Sequence, residues 1–358
     1  MHQLARGLAR RGHRVAVVTR PEGELTARAR EDGLDVFPLP LRHELDLGSA
    51  RGLARLYEER RVDVVHAHKG IAHSVALAAT FLSKRRPLLV ANRGVSFPLD
   101  TFNRWKYRVR LAAVVAVCED IRRVVIRSGG VPAEKVHVVY AGVDLERFDP
   151  AKADRERVRR EWGIAPDEPL LVQVSAREYK GWRDLVAGAA LAARDFPRLK
   201  TAVVACANEG QKAAVAEAAR GAGIGGRVLP IGFRSDMPDV LAAADVVADM
   251  SWGGLGITGT LREAMALGRP VIASSAGGNP ELVEDQRSGL LVPPRDRAAF
   301  AAALSRLLGD PDLSRRLGAA GRERAVSTFS ADARLDRIEA LYRRLLAGSA
   351  AEEPEQQR

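Results

Sequence analysis

The chain is expected to be an α/β protein of two doubly wound parallel-sheet domains, and three observations predict it. Short β-branched runs alternate with longer amphipathic stretches throughout, the pattern of parallel strands covered by helices on both faces. At 358 residues the chain can bury two separate cores, because a single core stops growing near about 250–300 residues. Glycine-rich turns follow several apolar runs, where strands hand the chain to helices and a ligand can approach bare backbone.

The elements follow in order. Residues 1–11 read as a helix ended by Gly12. Strands are expected at 14–19, 35–38, 62–66, 88–91, 113–117 and 136–140. A second set is expected at 170–175, 200–205, 228–231, 246–249, 270–273 and 289–292, with helical patterns between nearly all of them. A doubly wound sheet normally places a central strand before its first helix, and none precedes this one. The expectation is a start further upstream; the alternative, an unfilled slot, exposes strand edges at a cost of many kcal/mol. The stretch 144–169, with Pro150, Pro166, Pro169 and a charged helix, reads as the interdomain connection. A last helix at 331–346 sets Leu335, Ile338, Leu341, Tyr342 and Leu345 at helical spacing. The expected domains are therefore 1–148 and 149–330, with 331–346 returning toward the first and a disordered polar tail at 347–358.

Composition narrows the class. Apolar residues make up 46% and charged residues 28%, ordinary for a soluble globular protein. No apolar run reaches the roughly 18 residues of a membrane span, and no signal-peptide pattern opens the sequence. Cys118 and Cys206 stand far apart in neither a CxxC nor a metal-ligand pattern, so reduced thiols, no metal and a cytoplasmic location are expected. The net charge of +11 is uneven: residues 1–150 carry 26 Lys and Arg against 17 Asp and Glu, and residues 151–358 carry 30 against 28. Nucleic acid is not the expected partner, because aromatics are only 5% and no helix-turn-helix or zinc-knuckle signal is present. An anionic membrane surface or lipid-linked acceptor fits the basic half better, beside the plain reading of a solvated charged face.

The segment 251–281 carries the most chemistry. A glycine-rich turn including Gly256 and Gly259 feeds a helix bearing Glu263; the strand 270–273 follows, then a second glycine turn ending at Glu281. Such turns offer backbone N–H groups and a helix N-terminus to phosphate, and a carboxylate one turn along can accept hydrogen bonds from ribose or sugar hydroxyls. A nucleotide-sugar site is the expectation.

An ordered series of motifs then resembles the retaining family 4 glycosyltransferases of the GT-B fold, two Rossmann-like domains facing across a cleft. The motifs are Leu4 through Val15, the Asp63-Val-Val-His-Ala-His68 strand end, 115–144, Arg177 and Lys180 after the strand 170–175, Gly268-Arg-Pro-Val-Ile-Ala, and Gly277-Gly-Asn-Pro-Glu281. The resemblance implies transfer from a nucleotide diphosphate sugar, with no metal and no cofactor beyond that co-substrate. It implies that Arg177 and Lys180 neutralise the leaving diphosphate and that Glu263 accepts from the ribose. The partner acid of the family's E-x7-E motif is missing, since Leu255 stands there; Thr258 and Thr260 offer replacement hydroxyls and Gly256 and Gly259 backbone N–H groups. Glu281 holds either the sugar or its loop, while Phe233 and Arg234 fall at the base pocket, Phe233 either stacking or core-facing.

On the acceptor side the resemblance points to His68, with His66 turned into strand packing. Arg93 stands near where many members carry a histidine; it never loses its proton, so its expected role is binding an anion. The basic first half makes a cell-envelope glycolipid or lipopolysaccharide-type saccharide, met at the inner face of the membrane, the expected acceptor. The rival readings are a catalytically degenerate nucleotide-sugar-binding protein of the same fold and a GT-B epimerase.

Overall fold

Where an apolar run of this sequence ends, a helix begins. The computed structural model of the chain describes residues 1–253 and 256–352. It opens with α1 (His2–Arg10), β1 (Ala16–Thr19), α2 (Glu24–Glu31), β2 (Asp35–Pro38), α3 (Leu47–Glu59) and β3 (Val64–Ala67). Next come α4 (Gly70–Leu82), β4 (Leu88–Arg93), α5 (Thr101–Arg108), β5 (Leu111–Ala116), α6 (Glu119–Gly129) and β6 (Val136–Val138). Then follow α7 (Arg155–Glu161), β7 (Leu170–Val174), α8 (Trp182–Ala192), β8 (Lys200–Val204), α9 (Glu209–Gly221) and β9 (Val228–Pro230). The chain continues through α10 (Met237–Ala243), β10 (Val246–Asp249), α11 (Gly259–Ala266), β11 (Val271–Ser274), α12 (Asn279–Leu282) and β12 (Leu290–Val292). It ends with α13 (Arg297–Gly309), α14 (Pro311–Phe329) and α15 (Ala331–Glu352). No described helix is long and apolar enough to cross a membrane.

Two compact units result. One holds Met1–Tyr140 together with the chain from Ala331; the other holds Ala141–Ser330. In the first, β1 and β2 form a parallel pair, and β3, β4, β5 and β6 lie side by side in a separate parallel sheet. The second sheet is apolar on both faces in its middle: Leu89, Val90, Ala113 and Val114 are fully buried, as expected where helices cover a parallel sheet. Leu4 and Leu8 of α1 meet Val90, Ala113, Val115 and Val139, and Leu335, Ile338 and Leu341 of α15 complete that cluster. Arg11 reaches Asp336 at 2.7 Å and Glu339 at 2.8 Å, and His13 reaches Glu339 at 3.0 Å, tying the end of α1 to α15.

In the second unit the strand order is β12-β11-β10-β7-β8-β9, all parallel. Its core runs from Trp182 and Leu185 on α8, through Leu171, Val203 and Ile272, to Phe300 and Leu304 on α13. Each such fully buried side chain contributes roughly 1.5–3 kcal/mol. Gly188 lets α8 and α13 approach, since a Cβ there would lie 2.5 Å from the Phe300 ring.

The segment 144–169, read from its prolines as a connection, is built into this second unit. Arg155 donates to the carbonyls of Ala242, Ala243 and Ala244 and to Asp245, Arg157 binds Asp236 and Asp239, and buried Arg159 reaches Asp245. These charge-assisted bonds fasten α7 to α10. The chain passes between units instead at Tyr140/Ala141 and Ser330/Ala331. The last helix runs to Glu352, past the end expected at Leu346, so the expected tail is helical from 347 to 352, and 353–358 lie outside the described residues.

Candidate active site

In the second unit the chain leaves β7 for β8 on one side, whereas β10 leads to β11 on the other. Loops that part in opposite directions open a crevice at the strands' carboxyl ends, where doubly wound sheets bind ligands. The two loops that flank this one run from Ser175 to Gly181 and from Met250 to Thr258. Of the residues singled out by sequence they hold Arg177, Lys180, Gly256 and Thr258.

The first loop is held tightly against the end of β10. Gly181 has φ +67°, and a Cβ there would stand 2.0 Å from the Met250 carbonyl oxygen, so the turn Glu178–Lys180 can close only with glycine after it. Gln173, fully buried inside β7, donates to the Lys180 carbonyl at 3.1 Å and accepts from Met250 N–H at 3.5 Å. Trp252 N–H reaches the Tyr179 carbonyl at 2.9 Å, and its indole N–H reaches the Glu178 carbonyl at 3.0 Å. Arg295 lies over the Trp252 ring at 4.1 Å.

Two cations rise from this fixed turn. Lys180 Nζ is 3.2 Å from Asp249 Oδ2; Asp249 is 2% exposed, and its Oδ1 accepts from Ser251 N–H at 3.1 Å. Arg177 is exposed and donates to the Tyr179 hydroxyl at 3.2 Å. Among the described residues it has no carboxylate partner, so its charge is uncompensated.

The second loop and its neighbours carry unsatisfied polar atoms. Thr258 occupies the position before α11, yet its hydroxyl does not cap the helix. Thr258 Oγ1, Ser251 Oγ and Asn279 Oδ1 are all buried and lack a partner among the described residues. The backbone links them into one region: the Ser274 hydroxyl donates to the Ser251 carbonyl, Asn279 Nδ2 to the Ser274 carbonyl at 3.2 Å, and Gly278 N–H to the Gly256 carbonyl at 3.4 Å. Orphaned buried polar atoms are rare and costly, and these three lie where β10 and β11 hand the chain on to α11 and α12. Gly259 opens α11, whose first N–H groups have no partner inside the helix. Glu263 lies further along α11, half-buried; burial raises its carboxyl above the ordinary range, against the pull of Arg262 and Arg147. Leu255 lies outside the described residues.

The remaining donor-side residues divide. The Glu281 carbonyl is held by Arg324 at 2.8 Å, which fixes the backbone of α12. Phe233 is 84% exposed, turned to solvent and available to stack. Arg234 is committed to structure: its guanidinium binds both oxygens of Glu161 and both of Asp236, the latter at 2.8 and 2.7 Å.

In the first unit, His66 binds the Tyr342 hydroxyl at 2.6 Å and stacks on His68 with ring centroids 4.3 Å apart. Burial, then nearby positive charge, pushes His66 down to about 3, and burial with His66 alongside holds His68 far below the histidine range. Both rings are neutral. Arg93 donates to the Val95 and Phe97 carbonyls at 3.1 and 2.6 Å, so its guanidinium shapes its own loop. Among the described residues, no group of three or more His, Cys, Asp or Glu could hold a metal ion.

Sequence reasoning passed over Asp249, Gln173, Ser251 and Asn279. A signal existed for two of them: a glutamine inside the apolar run 170–174, and an acid closing the apolar run 246–249. Ser251 and Asn279 lie in the segment 251–281, Asn279 inside the 277–281 motif, but no role was expected of either.

Two parallel-sheet units of this kind are the architecture of the GT-B fold. The chain superposes on a glycosyltransferase from Rickettsia africae with a TM-score of 0.86 at 19% identity, over 96% of this chain and 93% of that one. It superposes on HepE of Anabaena, solved with UDP, with a TM-score of 0.81 at 22% identity, over 95% and 94%. Residues 1–147 match the model described as Glycosyltransferase Family 4, and residues 168–310 the model described as Glycosyl transferases group 1. Alpha-maltose-1-phosphate synthase of Mycolicibacterium smegmatis is 32% identical over 300 residues, 75% of each chain. The chain belongs to this glycosyltransferase family, and it is an enzyme of sugar transfer.

Proposed function

We propose that the chain transfers a sugar from a nucleotide diphosphate sugar to a cell-envelope glycolipid or lipopolysaccharide-type acceptor, with retention of configuration and without a metal. The observation that carries this reading is the turn bearing Arg177 and Lys180, clamped to the end of β10. Breaking the bond between anomeric carbon and phosphate oxygen leaves negative charge on the diphosphate. Fixed donors aimed at that oxygen stabilise the transition state more than the ground state. Lys180 and the N–H groups from Gly259 onward are those donors, Arg177 draws the diphosphate in, and Glu263, once ionised, accepts from the ribose.

Thr258, with its unpartnered buried hydroxyl, meets the donor sugar together with Gly256 and the turn that ends at Glu281, while Phe233 stacks on the base. The UDP in the HepE structure supports a nucleotide ligand of this kind. In a front-face reaction the departing phosphate oxygen itself takes the acceptor's proton, so no side-chain base is required; His68 then orients the acceptor and Arg93 shapes the loop beside it. The excess of Lys and Arg over Asp and Glu in residues 1–150 supports an anionic, membrane-borne acceptor approached from the cytoplasmic face.

The test is a screen of purified protein against UDP-, GDP- and dTDP-sugars with lipid extract as acceptor, following nucleoside diphosphate release and the anomeric coupling of the product by NMR. Release above that of Lys180→Ala with retained configuration is the expected result. An inverted product, or no release with any donor, sinks the reading.

A further inference from the structure

We infer that Asp249 is a positioning residue for the transfer: its buried carboxylate fixes the Lys180 ammonium where the leaving diphosphate gathers charge. The inference rests on the donor reading above and deepens it. Asp249 closes β10, a strand flanked on both sides, and is 2% exposed. A carboxylate at such depth is tolerated only when paired and hydrogen-bonded. Both conditions hold, since Oδ2 meets Lys180 Nζ at 3.2 Å and Oδ1 accepts from Ser251 N–H at 3.1 Å. An apolar side chain at this place would serve stability as well or better. What an apolar side chain could not do is hold the lysine.

Lysine carries a compact charge on a flexible stem. Here the stem is fixed at both ends: Gln173 binds the Lys180 carbonyl at 3.1 Å, Gly181 packs against the Met250 carbonyl, and Asp249 holds the tip. An ammonium has three donors; the Asp249 bond takes one and leaves two for phosphate oxygens. A stem ordered before the substrate arrives need not be ordered during the reaction. Asp249 also cancels the lysine's charge at a distance, so the pair adds little to long-range attraction of a nucleotide. Arg177, with no carboxylate partner among the described residues, supplies that attraction. The two cations thus divide the work: Arg177 acts mainly on affinity, and Lys180 with Asp249 on turnover.

Asp249→Asn, made in the full chain, separates this from a merely structural role. With whichever nucleotide sugar the wild type turns over, kcat falls at least tenfold while the Kd for UDP stays within threefold or tightens. In a Lys180→Ala background the same substitution changes kcat less than twofold, because its effect runs through the lysine. Equal loss in both backgrounds, or an unchanged kcat in the single variant, overturns the inference. Should Asp249→Asn not fold, Lys180→Met tests the pairing from the other side: Tm falls because a carboxylate is left alone, and Asp249→Asn in that chain restores it. A Tm indifferent to Lys180→Met overturns the inference. A wild type that turns over no nucleotide sugar fails the donor reading itself, and that result precedes any variant.

Discussion

Gly181 and Met250 are in such close contact that a single added methyl group at Gly181 would stand 2.0 Å from the Met250 carbonyl oxygen. Gly181→Ala therefore forces the turn away from β10 and also places alanine at φ +67°. Strain of this kind, with overpacking, costs about 2–4 kcal/mol. The expected outcome is a lowered urea midpoint with transfer reduced further than stability. An unchanged midpoint would show that the two loops are not clamped.

Lys180→Ala is expected to lower kcat by roughly a hundredfold, the usual effect of removing one preorganised electrostatic donor. Arg177→Ala acts chiefly through KM and flattens the salt dependence of nucleotide binding, since this cation is exposed and without a carboxylate partner among the described residues. Steady-state kinetics at two salt concentrations separate the two. An Arg177 variant with unaltered KM contradicts the assignment.

Thr258→Val removes a hydroxyl that is buried and unpartnered among the described residues. An unsatisfied buried group costs about 1–3 kcal/mol, so the variant is expected to be more stable than the wild type by about 1 kcal/mol. Donor kcat/KM should fall about tenfold at the same time. Stability gained as activity is lost is the signature of a polar atom kept for a ligand; a destabilised variant would mean that the hydroxyl has a protein partner.

The acid limb of stability has an identifiable source in the first unit. Arg11 and then His13 hold Glu339 down from 4.5 to about 2. A carboxyl with a depressed folded-state pKa contributes stability above its unfolded value and loses it as pH falls toward the folded one. The contact between α1 and α15 should therefore weaken between pH 4.5 and about 2. Glu339→Gln is expected to remove that part of the pH dependence in thermal melts. A melt-versus-pH curve identical to wild type would exclude the contact as its cause.

Much of this architecture was legible before any coordinates. The strand at Val246–Asp249 has the limits expected from its apolar run, and Leu88–Arg93 differs only at its far end, where Asn92 and Arg93 extend the ladder without extending the apolar pattern. Arg177 and Lys180 do follow β7, as the two cations after that apolar run suggested. Arg234 was not: Asp236 two residues on takes part of its guanidinium, and the rest goes to Glu161, over 70 positions away in the chain. Asp249 showed only as an acid closing an apolar run; its partner, Lys180, arrives from a loop after a different strand.

Because α15 completes the cluster of Leu4, Leu8 and Val90, the second unit is an insertion within the first. Domains fold as units while the ribosome delivers the chain from its amino end. The part made first must wait: its own last helix is translated after everything it encloses. During synthesis the inserted unit can reach its native state while α1 and the β3–β6 sheet still lack the helix that covers them, an interval open to chaperone capture or aggregation.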